Sequence, residues 1–142
     1  MALKIIDHNS EAYFKMVELR NQVLRKPLGL TFTKEDLDAE RDFIHIGCFD
    51  DDKLEGCCML VPEGEKTVRL RQMAVNDGLQ GKGIGRVLMN FAENVAKDLG
   101  NTKLTMHARK TALGFYEKLG YKICSDEFEE VNIPHYVMEK EL

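Results

Sequence analysis

Tryptophan is absent from this chain, proline occurs only 3 times, and no apolar stretch comes near the ~18 residues that a membrane-spanning helix requires. The longest apolar runs, such as Cys57-Cys58-Met59-Leu60-Val61, fall far short of that length, so no membrane partner is expected. Met1 to Ile6 lacks the basic start, long apolar segment and small-residue cleavage site of a secretory leader, which makes the cytoplasm the expected location. Cysteine is sparse and unpatterned. The 4 thiols, Cys48, Cys57, Cys58 and Cys124, include no C-x-x-C pair, and adjacent Cys57 and Cys58 would face opposite sides of a strand; they read as reduced core residues. His8, His45, His107 and His135 are scattered and H-E-x-x-H is missing, so no metal site is expected. Excess positive charge is missing too. A net charge of -4 argues against a general nucleic-acid binder, and any local basic cluster needs a local explanation.

What is present suits one globular domain spanning 1–142, with 44% hydrophobic and 31% charged residues and no repeats or linkers. Leu3 to Ile6 predicts a short strand, and Asn9-Ser10 can cap a helix running to about Leu24, with an apolar stripe of Tyr13, Phe14, Val17, Val23 and Leu24. Pro27-Leu28-Gly29 breaks it. Thr33 and Asp36 have capping-box spacing for a brief second helix. Phe43 to Phe49 and Leu54 to Val61 read as a hairpin turned by Asp50-Asp51-Asp52-Lys53, and Thr67 to Val75 as a strand with one polar face. From Ile84 to Leu99, apolar residues recur at three- and four-residue spacing and Gly100 follows, the pattern of a long amphipathic helix. Lys103 to His107 then predicts a strand, Thr111 to Leu119 a helix ended by Gly120, and Tyr121 to Cys124 and Tyr136 to Met138 two more strands. The order βααβββαβαββ contains strand, glycine loop, helix and strand in succession, which demands a parallel pair with a right-handed crossover.

The glycine loop carries the chemistry. Gly81, Gly83 and Gly85 remove side chains where the N–H groups of a helix start are unpaired, and Lys82 and Arg86 add charge, a combination that favours a diphosphate. A P-loop would need glycine at 76 and serine or threonine at 83, where Asn76 and Gly83 stand. A dinucleotide fingerprint would need glycine at 86 and an acidic residue ending the next strand, where Arg86 and Ala108 stand. A turn that merely eases strand and helix together is the plain alternative.

Arg71-Gln72-Met73-Ala74-Val75 followed by Gln80-Gly81-Lys82-Gly83-Ile84-Gly85 resembles the acetyl-CoA signature of the GNAT superfamily of N-acetyltransferases. His107-Ala108-Arg109, Ala112 and Phe115-Tyr116-Glu117-Lys118-Leu119-Gly120-Tyr121 resemble that family's second cofactor segment, so the likeness covers roughly Leu70 to Tyr121. It implies the mixed-sheet α/β fold of that superfamily and acetyl-CoA as co-substrate. It further implies that Met73, Ala74 and Val75 present backbone to the pantetheine arm, that Gln80 to Arg86 wrap the pyrophosphate, and that Ala112, Phe115 and Tyr116 line the cofactor. Tyr116 would face the thioester sulfur. At Arg109 the family often has asparagine, so this residue is assigned to the cofactor by position, with a phosphate as the partner its charge suits.

Acyl transfer to an amine passes through an oxyanion, for which the N–H groups near Met73 and Ala74 are candidate donors. A phenol with a pKa of about 10 is protonated at neutral pH, so Tyr116 can act as general acid; its plainer role is a core aromatic beside Phe115. The base is open at this point. His135, in an Ile133-Pro134-His135 stretch that resembles one branch of small family members, titrates in the right range, and a structural histidine is the equal alternative. Glu127, Glu129 and Glu130 are others, with a solvated acidic loop as their plainer reading, and water-mediated deprotonation needs none of them. The expected acceptor is a small-molecule amine. A protein amine, a CoA-binding module without turnover, and homodimer formation through strand edges are the further readings the sequence leaves in play.

Overall fold

The structure, a computed structural model, describes residues 1–142. One sheet is built from β1 (Ala2–Ile6), β2 (Ile44–Asp50), β3 (Lys53–Gly64), β4 (Thr67–Val75), β5 (Lys103–Arg109), β6 (Lys122–Ile123), β7 (Phe128–Glu130) and β8 (Ile133–Glu141). Four α-helices cover it: α1 (Glu11–Arg20), α2 (Lys34–Asp38), α3 (Ile84–Asp98) and α4 (Leu113–Lys118). The strand path is β1-β2-β3-β4-β5-β8-β6, with β7 also on β8, and every pairing is antiparallel except β4 with β5. That parallel pair is the one the strand, loop, helix, strand order required.

Two cores form on opposite faces of the sheet. Ile84, Leu88, Ala92 and Ala96, one stripe of α3, bury against Ile46, Cys58, Leu60, Leu70 and Met106. Across the sheet, Tyr13, Met16 and Leu19 of α1 bury against Ile6, Phe49, Cys57 and Ala74. Cys57 and Cys58 therefore divide between the two cores, as strand alternation requires. Burial pushes the Cys57 thiol up to about 12, so it stays protonated and inert. Cys124, expected in a core, is exposed.

The caps form as expected. Ser10 Oγ accepts from the Tyr13 N–H at 3.2 Å, and Thr33 and Asp36 close a reciprocal capping box. Helix α1 continues through a π-helical turn at Asn21–Arg25 and a 3-10 turn at Lys26–Leu28. Its buried stripe differs from the expected one. Phe14 is exposed, because residues adjacent on a helix lie about 100° apart and Tyr13 and Phe14 cannot share one narrow face.

The C-terminal third departs further. A 3-10 turn at Lys110–Ala112 precedes α4, β6 is only Lys122–Ile123, and the last strand extends from Ile133 to Glu141. Glu129 and Glu130, expected in a loop, belong to β7, which pairs with β8 through a two-residue turn at Val131 and Asn132, both at positive φ. A β-branched residue there gives no Asn-Gly hairpin signal, which is why the strand escapes sequence reading.

Strand β4 changes face partway along. Met59 pairs with Arg71 but Cys57 pairs with Ala74, so β4 carries one extra residue opposite Cys58, and Gln72 takes a φ of 57. Leu70 packs into the α3 core, whereas Ala74, four residues on, packs into the α1 core. Without the bulge both would face the same way. Met73 and Val75 are thereby turned toward the α3 side.

Candidate active site

Strands β4 and β5 pair only from Thr67 to Leu70 and from Lys103 to Met106. Beyond Leu70, β4 runs on to Val75 beside β3, and beyond Met106, β5 runs on to Arg109 beside β8. The sheet therefore opens into a gap whose edges are the backbone of Arg71–Val75 and His107–Arg109. Groups that pair sheet edges elsewhere are free here for an extended amide-bearing chain. Met73, Ala74 and Val75 sit on one edge and Arg109 ends the other.

The glycine loop closes the α3 end of that gap. Gly81 and Gly83 have φ of 83 and 85, a left-handed conformation that side chains disfavour, and Gly83 caps α3 in it. The N–H groups of Gln80, Gly81, Lys82 and Gly83 meet no backbone acceptor, and the first turn of α3 adds those of Ile84, Gly85 and Arg86. Lys82 and Arg86 are exposed beside them. Converging amides, a helix dipole and two cations are the donor set a diphosphate requires. Nothing lies within 4 Å of a Cβ built on Gly83, so Gly83→Ala strains only the backbone. Thermal or chemical unfolding of this variant should show a loss of about 1–2 kcal/mol, and calorimetric titration a several-fold weaker affinity for coenzyme A.

Gly85 is needed for a different reason. A Cβ there would stand 3.1 Å from Cζ of Phe115, so the ring closes directly on the loop and ties α4 to α3. Ala112 is half-buried beside the same core. Tyr116, next to Phe115 with ring centroids 5.0 Å apart, is 7% exposed and lies on the α3 side of the sheet. Burial, with a smaller contribution from the neighbouring Cys58, pushes its phenol well above the ordinary value of 10.0, so it remains protonated. Its ring is held from both sides, the far side by Tyr121 at 6.0 Å.

The opposite face of the gap is polar. His107, Arg109 and His135 share that face because β5 and β8 pair His107 with Val137 and Arg109 with His135, and directly paired residues point the same way. Arg109 is thus placed across the sheet from α3. His135 is buried, its ring stacked on Phe128 at 5.9 Å. Its Nδ1 lies 2.7 Å from the Ile133 carbonyl, which can only accept, so Nδ1 carries a proton and Nε2 is the nitrogen with the lone pair in the neutral ring. Glu130 Oε2 is 3.7 Å from that Nε2, and Oε1 is 3.1 Å from His107 Nδ1. Arg69 reaches the same His107 nitrogen at 2.9 Å. One nitrogen cannot both accept from Arg69 and donate to Glu130, so the proton position on His107 selects between the two bonds. Burial would raise the Glu130 carboxyl, but the His107 hydrogen bond and the His107, His135 and Arg69 charges outweigh it and hold Glu130 below the ordinary range.

His135 and Tyr116 thus stand on opposite faces of the sheet. Of the three glutamates considered from sequence, only Glu130 joins His135; Glu127 bonds Lys110 at 2.9 Å and Tyr136 at 3.1 Å, and Glu129 is exposed. Arg69 carries no local signal of its own and His107 is marked only by the cofactor-segment resemblance; strand register brings the two together.

Comparison with known proteins follows the same line. The family described as an acetyltransferase (GNAT) domain matches residues 20–142. Bacillus subtilis YyaT, described as uncharacterized, is 37% identical over 76 residues, covering 54% of this chain and 51% of YyaT, so the match spans about half the length of that relative. Bacillus subtilis YjcF, named an uncharacterized N-acetyltransferase, is 27% identical over 139 residues, 96% of this chain and 98% of its own. A crystal structure of an aminoglycoside 6'-N-acetyltransferase complexed with coenzyme A shares the fold with a TM-score of 0.85 at 19% identity, covering 99% of this chain and 97% of that one. The chain belongs to the GNAT acetyltransferase family. Acetyl-CoA is the co-substrate of that family.

Proposed function

We propose that this chain moves an acetyl group from acetyl-CoA to a primary amine of a small metabolite by direct attack. The observation that carries the reading is the gap between β4 and β5, which has the amide-rich loop at its end, a neutral phenol on one face and a histidine–carboxylate pair on the other. An acceptor entering from the His135 face would attack a thioester whose sulfur lies toward Tyr116.

The N–H groups near Met73 and Ala74 are the candidate donors for charge developing on the carbonyl oxygen. Tyr116 supplies a proton to the departing thiolate. The same dry surroundings that hold the phenol neutral also raise the proton affinity of the thiolate, so the transfer is not penalised by burial. An ammonium has no lone pair, and its proton is to leave toward Nε2 of His135, with Glu130 stabilising the imidazolium formed. His135 is covered by Phe128, and Glu130 is the solvent-open member of the pair.

Release of thiol from acetyl-CoA on adding a panel of amines tests the reading. Amine-dependent release with one acetyl transferred per thiol is expected; binding of coenzyme A with no release from any amine would reduce the chain to a binding module. His135→Ala should lower kcat/KM for the amine by about 100-fold and leave the KM for acetyl-CoA unchanged. Full turnover in that variant would remove His135 as base.

A further inference from the structure

Arg71 is an anomaly on the acceptor side of the sheet. It is half-buried on β4, immediately before the bulge, and its guanidinium forms no ion pair or hydrogen bond within the chain. By contrast, Arg20 is paired with Glu40, Lys140 with Glu93, and Arg69 with His107. Burial and the nearby Arg69 and Arg20 charges work against the cation at this position and outweigh the opposing charges of Glu40 and Glu130.

Arg71 lines a cavity of about 150 Å³ between β4 and the segment leading through α2. Gln72 of the bulge, the rings of Phe32 and Phe43, and Arg25 also border it. Of the acidic wall residues, Glu40 is bonded by Arg20 and Tyr13 and Asp36 by Thr33, and neither bonds Arg71 directly. Arg25 stacks on Phe32 at 4.3 Å and adds a second positive charge. The cavity is therefore small and bordered by two aromatic rings, with an unpaired guanidinium on its β4 wall, and the backbone leads from Gln72 straight to Met73 and Ala74.

We infer that this cavity is an anion subsite for the acceptor, and that the amine substrate carries a carboxylate held by Arg71. The inference rests on the acetyl-transfer reading above and narrows its acceptor. Two guanidinium groups offer a carboxylate planar, charge-assisted hydrogen bonds. A polycationic amine would meet Arg25 and Arg71 instead and be repelled.

The test is thiol release from acetyl-CoA with ω-amino carboxylates from glycine to 5-aminopentanoate, each beside its amide, with butylamine and an ω-amino phosphonate as further arms. At one chain length, kcat/KM for the carboxylate should exceed that for its amide by about tenfold or more. Arg71→Gln should erase that advantage through KM, so that each carboxylate and its amide react at similar kcat/KM, and Arg71→Lys should restore part of it. Equal rates for carboxylates and amides, or an equal loss on every amine in Arg71→Gln, would overturn the subsite; preference for the phosphonate would overturn its assignment to carboxylates. Failure of all amines would count against acetyl transfer alone. In that event, titration of 4-aminobutanoate into the protein saturated with coenzyme A, followed by the Arg71 Nε–H resonance, decides the subsite: a saturable shift supports it and an unmoved resonance ends it.

Discussion

Replacing Tyr116 by Phe should lower kcat by about 100-fold or more while leaving the unfolding midpoint close to that of the parent. The two effects separate because of how the residue is held. Its ring packs between Phe115 and Tyr121 in the α3 core, and Phe preserves that packing. Its raised pKa has burial first and the neighbouring Cys58 second as causes, with no hydrogen bond among them, so loss of the hydroxyl strands no partner. Only the proposed proton donation to the leaving thiolate is removed. The pH dependence offers a second check. An ordinary phenol would begin to ionise near 10.0, but this one is pushed well above that value, so kcat should show no alkaline loss from Tyr116 at or below pH 10. If the Phe variant matches the parent at every pH with chemistry rate-limiting, Tyr116 is a packing residue and the thiolate departs without its help.

The largest stability effect belongs to a charge pair. Arg20 is fully buried on α1 and donates to Glu40 from Nη1 at 2.8 Å and Nη2 at 2.5 Å; the Tyr13 hydroxyl donates to the same carboxylate at 2.9 Å. Arg20→Met leaves Glu40 enclosed without its cation and should cost about 3–5 kcal/mol in denaturant unfolding, whereas the double variant Arg20→Met, Glu40→Leu should recover much of that loss. Burial raises the Glu40 carboxyl, but the Arg20 hydrogen bond and charge outweigh it and the folded value lies below the ordinary 4.5. The pair's contribution is thus complete above the unfolded value and is lost as pH falls through the lower folded one. In Arg20→Met the sign reverses. Burial then dominates, the folded pKa rises above the unfolded one, and the gap between variant and parent should narrow on acidification. A gap that stays constant from pH 7 to pH 4 would rule out an ionised Glu40 as its cause.

Much of the frame could be read along the chain because it depends on residues close in sequence. The stripe Ile84, Leu88, Ala92, Ala96 repeats at helical spacing, the Thr33 and Asp36 box spans three residues, and the β4–α3–β5 crossover follows from element order. The misses have equally local reasons. Hydrophobicity alone puts Phe14 in the stripe, from which its angular position excludes it. Strand β7 went unread because Val131 stands at a position where positive φ is rare for a β-branched residue.

Other features had no local signal at all. Gln72 gives no hint of a left-handed backbone, yet its bulge moves Ala74 to one face and turns Met73 and Val75 to the other. Arg69, His107, Glu130 and His135 come from four different strands and meet only through register. The unpaired state of Arg71 likewise depends on where Glu40 is held, far away along the chain.

The glycines and cations of residues 80–86 determine by themselves that the chain offers an anion a nest of amides at a helix start, because backbone sterics and the helix dipole are properties of neighbouring residues. Which groups face each other across the gap was decided only by the tertiary structure. Side chains on a strand alternate with a period of two, so one extra residue in β4, or a slip of one in β8, would carry each of them to the other side of the sheet.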